Sequence, residues 1–276
     1  MPLRLRVIRP LDGFAILICS LLIATPGATQ ETVHGERIVI DYVAPAHARH
    51  RRPHDVLKSS QVLERVRDVL APVRWPRTLR LELRECDGEL NAWYENAVVT
   101  VCYELLDEMW RRANVSRRPS GISREDAFIG PLVDVFLHEV SHALFDLFKL
   151  PLLGQEEDAA DQLAAYFVLQ FPKERKRRLV LGGAYAHASE LKVRRVQDLY
   201  RRRLQLGSHA SFADEHGTTA QRLYNLLCIA YGSDRVLFAD VVEKGFLPMG
   251  RAEICKQEYQ QVDFAFRTLV GPHLDR

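Results

Sequence analysis

The sequence predicts an α+β fold in which a small antiparallel sheet is followed by a mainly helical C-terminal part. Alternation of apolar and polar side chains, the period of half-buried strands, is confined to residues 37–102. From residue 103 onward, apolar side chains recur at helical spacing. Strands that are segregated from helices along the chain are typical of the α+β class.

The first 28 residues are predicted to be a secretory signal peptide. Three arginines precede the apolar run "FAILICSLLIA", and the small residues of "TPGATQ" follow it. The run is short for a membrane span. Pro26 makes the cleavage site imperfect, so a retained N-terminal anchor stays open. We therefore expect a domain of residues 29–276 that is periplasmic or secreted, without a membrane span after signal cleavage and membrane-tethered if the signal is retained.

Removal of this segment leaves an electrically balanced protein. The segment carries three arginines and one aspartate, so the formal net charge falls from +2 to zero. This balance argues against nucleic acid as the main partner. The basic clusters at 173–178 and 200–203 lie in helix-like segments and are interpreted as solvated faces, with an acidic partner or lipid head groups left open. The sequence does not indicate an oligomeric state.

The N-terminal half of the fold is predicted as follows. "RIVIDYVA" at 37–44 has the pattern of a strand, and the Arg-, His- and Pro-rich residues 45–55 predict an exposed loop. A helix is expected at 55–71. "TLRLELREC" at 78–86 alternates as a half-buried strand does, and "NAWY" and "VVTVCY" follow it around a turn at 95–96.

The C-terminal part is predicted to contain seven helices. Pro131 suits the first turn of one of them, because its missing N–H has no helical partner there. The predicted helices span residues 103–113, 131–148, 155–170, 184–205, 217–231, 234–243 and 251–269.

Four cysteines remain after the signal segment, an even number that suits an oxidising compartment. Of the three possible pairings we favour Cys86 with Cys102 and Cys228 with Cys255, since each closes a modest local loop and braces a different half of the chain. Free buried thiols are the alternative. None of the four has zinc-ribbon spacing, so a cysteine-ligated metal is not expected.

The stretch "FLHEVSHALF" at 136–145 carries an H-E-x-x-H motif. His138 and His142 are four residues apart on a predicted helix, so both imidazoles face one side and can bind a single metal ion. Glu139 lies beside them and is placed to take a proton from metal-activated water. One such pentapeptide arises by chance in some chains, so the interpretation needs a third ligand.

A third ligand is available on the next predicted helix, in "GQEEDAADQLAAY". Glu157 and Asp161 are again four apart on one face. Glu157 can complete a catalytic zinc site, and Asp161 can accept the free N–H of a ligand histidine and fix its tautomer. The alternative is that these acidic residues only favour a helix N-terminus through its dipole.

Hydrolysis also needs a donor for the oxyanion that develops on the attacked carbonyl. The downstream candidates are His216 and Tyr224, with Asp214 able to orient the imidazole. His216 could instead be a helix-capping residue before Thr218. The other histidines have no ligand spacing to an acidic residue and are predicted to lie on the surface: His34, His47, His50, His54, His187, His209 and His273.

H-E-x-x-H followed by E-x-x-A-D resembles the gluzincin zinc metallopeptidases. The upstream "NAWYENAVVTV" is similar to the edge strand of thermolysin-like enzymes, which binds the substrate backbone. The resemblance implies that role for Asn91 and Ala92, with the peptide added as an extra strand; Asn91 as a plain turn residue is the alternative. It also makes His216 the first choice of oxyanion donor.

More closely, residues 79–276 resemble a family of exported bacterial proteins known only as putative metallopeptidases. The shared elements include "CDGELNAWY", "TVCYEL", "HEVSHALFD", "LPLLGQEEDAADQ", "DEHGTTAQRLYNLLCIAYG" and "ICKQEY". Val140 and Ser141 depart from the Leu or Phe and the Gly expected between the glutamate and the second histidine. The resemblance implies a zincin-like fold.

The predicted function is a secreted or periplasmic zinc-dependent metallopeptidase with one Zn²⁺, acting on a peptide or protein through Glu139. Two alternatives stay open. One is an exported zinc-binding protein without turnover, serving as a scaffold or recognition module, although such a protein does not need Glu139. The other is a zinc hydrolase of a non-peptide amide in the cell envelope.

Overall fold

The computed structural model describes residues 37–113, 121–191 and 215–275. The predicted signal peptide lies outside these residues. The α+β class is confirmed: the strands lie within residues 38–102, and the later described segments are helical. The described elements are β1 (Ile38–Tyr42), α1 (Ala48–Ser59), α2 (Val62–Leu70), β2 (Leu79–Arg84), β3 (Ala92–Glu95), β4 (Val98–Cys102), α3 (Tyr103–Ala113), α4 (Arg124–Phe148), α5 (Glu156–Val168), α6 (Lys173–Glu190), α7 (Thr219–Ser233), α8 (Ala239–Glu243), α9 (Met249–Ala252) and α10 (Cys255–Leu269).

The sheet is mixed, which corrects the prediction that it is antiparallel. Its strand order is β1-β2-β4-β3, and β1–β2 and β2–β4 are parallel pairs. The helices α1 and α2 form a crossover between β1 and β2, and a crossover returns the chain in the same direction. Only the hairpin β3–β4 is antiparallel. Its turn is at Asn96 and Ala97, both with positive φ, one residue later than predicted.

Residues 45–55 are not a loop throughout, because α1 begins at Ala48. The polar composition of this segment gave no helical pattern of apolar residues, because the buried face of α1 is narrow. The residues that α1 buries are His50, Pro53 and Leu57. The single helix expected at 55–71 is two helices, since Gln61 adopts a left-handed conformation between them.

Helix α4 begins seven residues before the predicted start at Pro131. Ser123 caps it through a capping box with Asp126, so Pro131 lies inside the helix. By length and composition alone this helix could cross a membrane, but 67% of its most apolar 18-residue stretch is buried inside the protein. It packs closely on α6, because a Cβ on Gly130 would lie only 2.7 Å from the Cα of Gly182.

Three further helices differ from their predicted bounds. Helix α6 begins at Lys173 rather than 184, since the basic residues 173–178 form its first turns, and residues 192–214 lie outside the described segments. Helix α8 is shorter than 234–243, and the segment 251–269 is divided between α9 and α10.

Both disulfide pairings are as predicted. Cys86 and Cys102 are bonded, with their Cα atoms 5.5 Å apart, as are Cys228 and Cys255, at 4.9 Å. The first bond joins the segment that follows β2 to the end of β4, and the second joins α7 to α10. The predicted thiol alternative is therefore excluded.

Candidate metal centre and substrate cleft

The site is built where α4 and α5 pack against each other. Helix α4 ends at Phe148, the left-handed conformation of Lys149 then turns the chain, and α5 starts after Gln155. This short connection lays the face of α4 that carries His138 and His142 against the first turns of α5.

The donor atoms of three predicted ligands converge. His138 Nε2 lies 3.0 Å from Glu157 Oε2 and 3.2 Å from His142 Nε2, and His142 Nε2 lies 3.5 Å from Glu157 Oε1. A tetrahedral zinc with ligand bonds of about 2.1 Å would separate its ligand atoms by about 3.4 Å. The side chains therefore fit one zinc ion with little movement.

Asp161 accepts a hydrogen bond of 2.8 Å from His138 Nδ1, the position that the sequence predicts for it. This bond leaves Nε2 to face the converging donors. Burial by itself would raise the pKa of Asp161, but hydrogen bonds from His138 and Arg222 and the charge of Arg222 lower it to about 2. Burial likewise opposes protonation of His138, yet its bonds to Asp161 and Glu157 raise its pKa to about 9.

Two residues at the site were missed from the sequence. Arg222, on α7, donates from Nε and Nη2 to the two oxygens of Asp161, at 2.8 and 2.7 Å. Glu156 accepts a 2.7 Å hydrogen bond from His142 Nδ1, as Asp161 does from His138. Both metal-facing imidazoles are thus oriented by a carboxylate. The sequence offered one indication of Glu156, namely that it is adjacent to the predicted ligand Glu157 in "QEED". The only indication of Arg222 was its position shortly after His216.

His216 lies at the same centre. Its Nε2 is 2.9 Å from Glu157 Oε2, and its ring stacks on that of His138 with centroids 6.0 Å apart. Donor atoms of His138, Glu157 and His216 all lie within 4.8 Å of one another. The side chain is 47% exposed. His216 is therefore close enough to act either as a donor to substrate or as a further ligand.

Tyr224 is not brought to the cleft, since its ring is partly buried against the apolar core. It lies on α7 two residues after Arg222, a spacing that turns the two side chains to different faces of the helix. Asp214 lies outside the described residues.

Glu139 lines the cleft beside the two histidines. Burial raises the pKa of its carboxyl; the neighbouring histidines lower it, and Glu157 raises it further. A carboxylate that is partly withdrawn from water and next to a metal centre is suited to accept a proton from water and to give it up again.

The cleft has a volume of about 740 Å³ and is bordered by the outer strand of the sheet. Asn91 and Ala92 line it. Cys102 N–H donates to Asn91 O, so the antiparallel alternation turns the peptide groups of Ala92 and Tyr94 away from β4. The Ala92 N–H is bonded to Asn91 Oδ1. The outer edge of β3 pairs with no strand among the described residues and faces the cleft.

Residues 42–270 match the family DUF4344, whose description is "Putative metallopeptidase". The chain belongs to this family. No curated protein and no solved structure gave a significant match. The matched range includes β2–β4 and α1–α10 in full, so it contains all of the side chains that converge at the site.

A second group of possible metal donors in this family member comprises His47, His50 and Glu85. Glu85 accepts the backbone N–H of Ala46 and His47 at the start of α1, and His50 Nδ1 donates to it at 2.8 Å. Arg49 donates to the other nitrogen of His50. Both ring nitrogens of His50 are thus engaged by protein groups. His50 is 0% exposed, which corrects its predicted surface position; His54 and His187 are also mostly buried. His34 and His209 lie outside the described residues.

Proposed function

We propose that this protein is an exported zinc-dependent metallopeptidase that holds zinc with His138, His142 and Glu157 and uses Glu139 as its general base. The observation that carries the proposal is the convergence of these three side chains next to Glu139, in a cleft bordered by a sheet edge. Membership of the family supports a peptidase. The identity of the metal as zinc and the export of the protein are proposed in addition.

The donor set suits zinc. Two imidazoles and one carboxylate are a common set of protein ligands in catalytic zinc sites, where a fourth position stays open. Zinc bound there would supply a Lewis acid that polarises the scissile carbonyl and lowers the pKa of water toward 7. Asp161 and Glu156 keep the Nδ1 atoms of the two histidines engaged, so that both Nε2 atoms point to the same place.

Glu139 performs the proton transfers. It takes a proton from the attacking water and delivers it to the nitrogen of the departing amine. Its partial burial beside the histidines keeps it near the reacting atoms. A carboxylate in this position has no purpose in a protein that only holds a metal, which favours turnover over the scaffold alternative.

The substrate is a peptide in extended conformation. The outward peptide groups of Ala92 and Tyr94 offer donors and acceptors at the cleft edge, and an added strand forms its hydrogen bonds with groups of this kind. The Ala92 N–H becomes available if the Asn91 side chain turns outward, where its amide can also donate to substrate. This edge favours a peptide over a non-peptide amide.

His216 is proposed as the donor to the oxyanion. Replacing it by alanine separates its two possible roles. As a donor it would leave zinc in place while turnover falls about 10²- to 10³-fold. Loss of zinc binding would instead make His216 a ligand.

The deciding experiment is digestion of an unbiased peptide library by the zinc-loaded protein, read by mass spectrometry. Glu139→Gln is the inactive variant, and Glu125→Gln, at an exposed position on the same helix, is its control. We expect cuts from the native protein and the control that are lost in Glu139→Gln. A folded, zinc-containing native protein that makes no cuts would refute the peptidase proposal. Signal-peptide cleavage in secreted material tests export.

A further inference from the structure

The rim segment, residues 86–91, connects β2 to the cleft-lining strand β3 and forms one border of the cleft. Leu90 and Asn91 line the cleft, and Leu90 is 57% exposed. Asp87 and Gly88 both have positive φ, and the Glu89 N–H donates to Cys86 O, so the segment starts with a tight turn. A turn of this kind does not by itself fix where its far end lies.

Glu104 holds this turn through hydrogen bonds to its backbone. It lies in the first turn of α3 and is buried, and each of its two carboxylate oxygens accepts one backbone N–H of the rim segment. Oε2 accepts from Cys86 and Oε1 from Gly88, both at 3.1 Å. A buried carboxylate that uses both oxygens on one loop defines the position of that loop.

The disulfide and the sheet complete the attachment. Cys86 is bonded to Cys102. Cys102 directly precedes α3, and Glu104 is the second residue of that helix. The N–H of the same Cys102 donates to Asn91 O at the far end of the rim segment. Both ends of the segment are thus tied to residues 102–104, and its last two residues, Leu90 and Asn91, line the cleft.

We propose that Glu104 is a positioning residue for peptide binding: together with the Cys86–Cys102 disulfide it holds the rim segment so that Asn91 and Ala92 face the substrate. The proposal rests on the proposed peptidase function and deepens it. Glu104 does not line the cleft, and it acts through the rim segment rather than through the metal centre.

The test is Glu104→Gln, which keeps the shape of the side chain but replaces one acceptor oxygen by an NH₂ group that cannot accept from a backbone N–H. We expect KM for a cleaved library peptide to rise about tenfold, kcat to change less than twofold and zinc affinity to stay the same. Glu108→Gln is the control, one helical turn along α3, where the carboxylate pairs with Arg112. Equal KM values for the two variants, or a parallel fall in kcat and zinc affinity, would overturn the proposal.

Hydrogen exchange provides a readout that needs no turnover. Glu104→Gln should speed amide exchange in residues 86–95 at least fivefold and leave residues 138–142 unchanged. Unchanged exchange in the rim would refute the inference even if peptides are cut, whereas a native protein that cuts nothing refutes the peptidase proposal by itself. If Glu104→Gln fails to fold, Cys86→Ser with Cys102→Ser should give the same KM effect, and Cys228→Ser with Cys255→Ser should not.

Discussion

Replacing Asp161 by asparagine tests the charge network behind the metal centre. The substitution keeps the shape of the side chain and removes the charge that pairs with Arg222 and His138. The pKa of Asp161 falls from 3.8 to about 2 in the folded protein. A shift of this size corresponds to about 2–3 kcal/mol of stability, at 1.36 kcal/mol for each pKa unit.

The sign of the effect follows from the lowered pKa. A depressed carboxyl pKa stabilises the folded state above the unfolded pKa of 3.8, and this contribution disappears as the pH falls toward 2. We therefore expect Asp161→Asn to lower the free energy of unfolding by about 2–3 kcal/mol at pH 6, and by much less near pH 2.

Urea unfolding with a chelator present separates this effect from metal binding. Asp68→Asn, at an exposed position with a 3.8 Å surface pair, is the control and should change stability by less than about 0.5 kcal/mol. A loss for Asp161→Asn that is below about 0.5 kcal/mol at pH 6, or that is the same at pH 2, would refute the reasoning. In zinc competition assays the same variant should bind zinc about 10- to 100-fold more weakly, as is usual when a carboxylate that orients a ligand histidine is changed.

Three more outcomes are expected. With its pKa raised to about 9, His138 must lose a proton to bind zinc, so apparent zinc affinity should rise about tenfold per pH unit from pH 7 to 9, and calorimetry in two buffers should detect proton release; a flat profile contradicts this. Gly130→Ala should destabilise the protein by about 1–3 kcal/mol in thermal unfolding, because its Cβ would lie 2.7 Å from the backbone of α6, whereas Gly250→Ala has open space and should not. Replacing Cys228 and Cys255 by serine, which opens a loop with a sequence separation of 27, should cost about 3.5 kcal/mol in urea unfolding; a cost under about 1 kcal/mol would contradict the loop-entropy argument.

The residues at the centre of the site could be predicted because their spacing is local. His138 and His142 share a helix face, and so do Glu157 and Asp161, which makes their mutual placement a property of helix geometry. The same local logic located the hairpin of β3 and β4. Arg222 could not be found this way, because its partner Asp161 is 61 positions away and nothing in the spacing joins them.

Strand direction was beyond sequence reasoning for a similar reason. Short alternating segments look the same in parallel and antiparallel sheets, and the decision depends on whether the intervening chain forms a crossover. Here the deciding segment was residues 45–55, whose arginines and histidines suggest a loop. The start of the helix in this segment is stabilised by Glu85, which is distant in sequence and accepts the backbone N–H groups of two residues just before α1.

The parallel arrangement has a consequence for the site. Because β2 and β4 run in the same direction, their C-terminal ends, at Arg84 and Cys102, are neighbours at one end of the sheet. Cys86 and Cys102 can therefore bond there, and Glu104 can reach the turn that starts at Cys86. With antiparallel pairing, the two ends would lie at opposite ends of the sheet. The feature that the sequence did not predict is thus the one that brings the rim segment, the disulfide and Glu104 together beside the cleft.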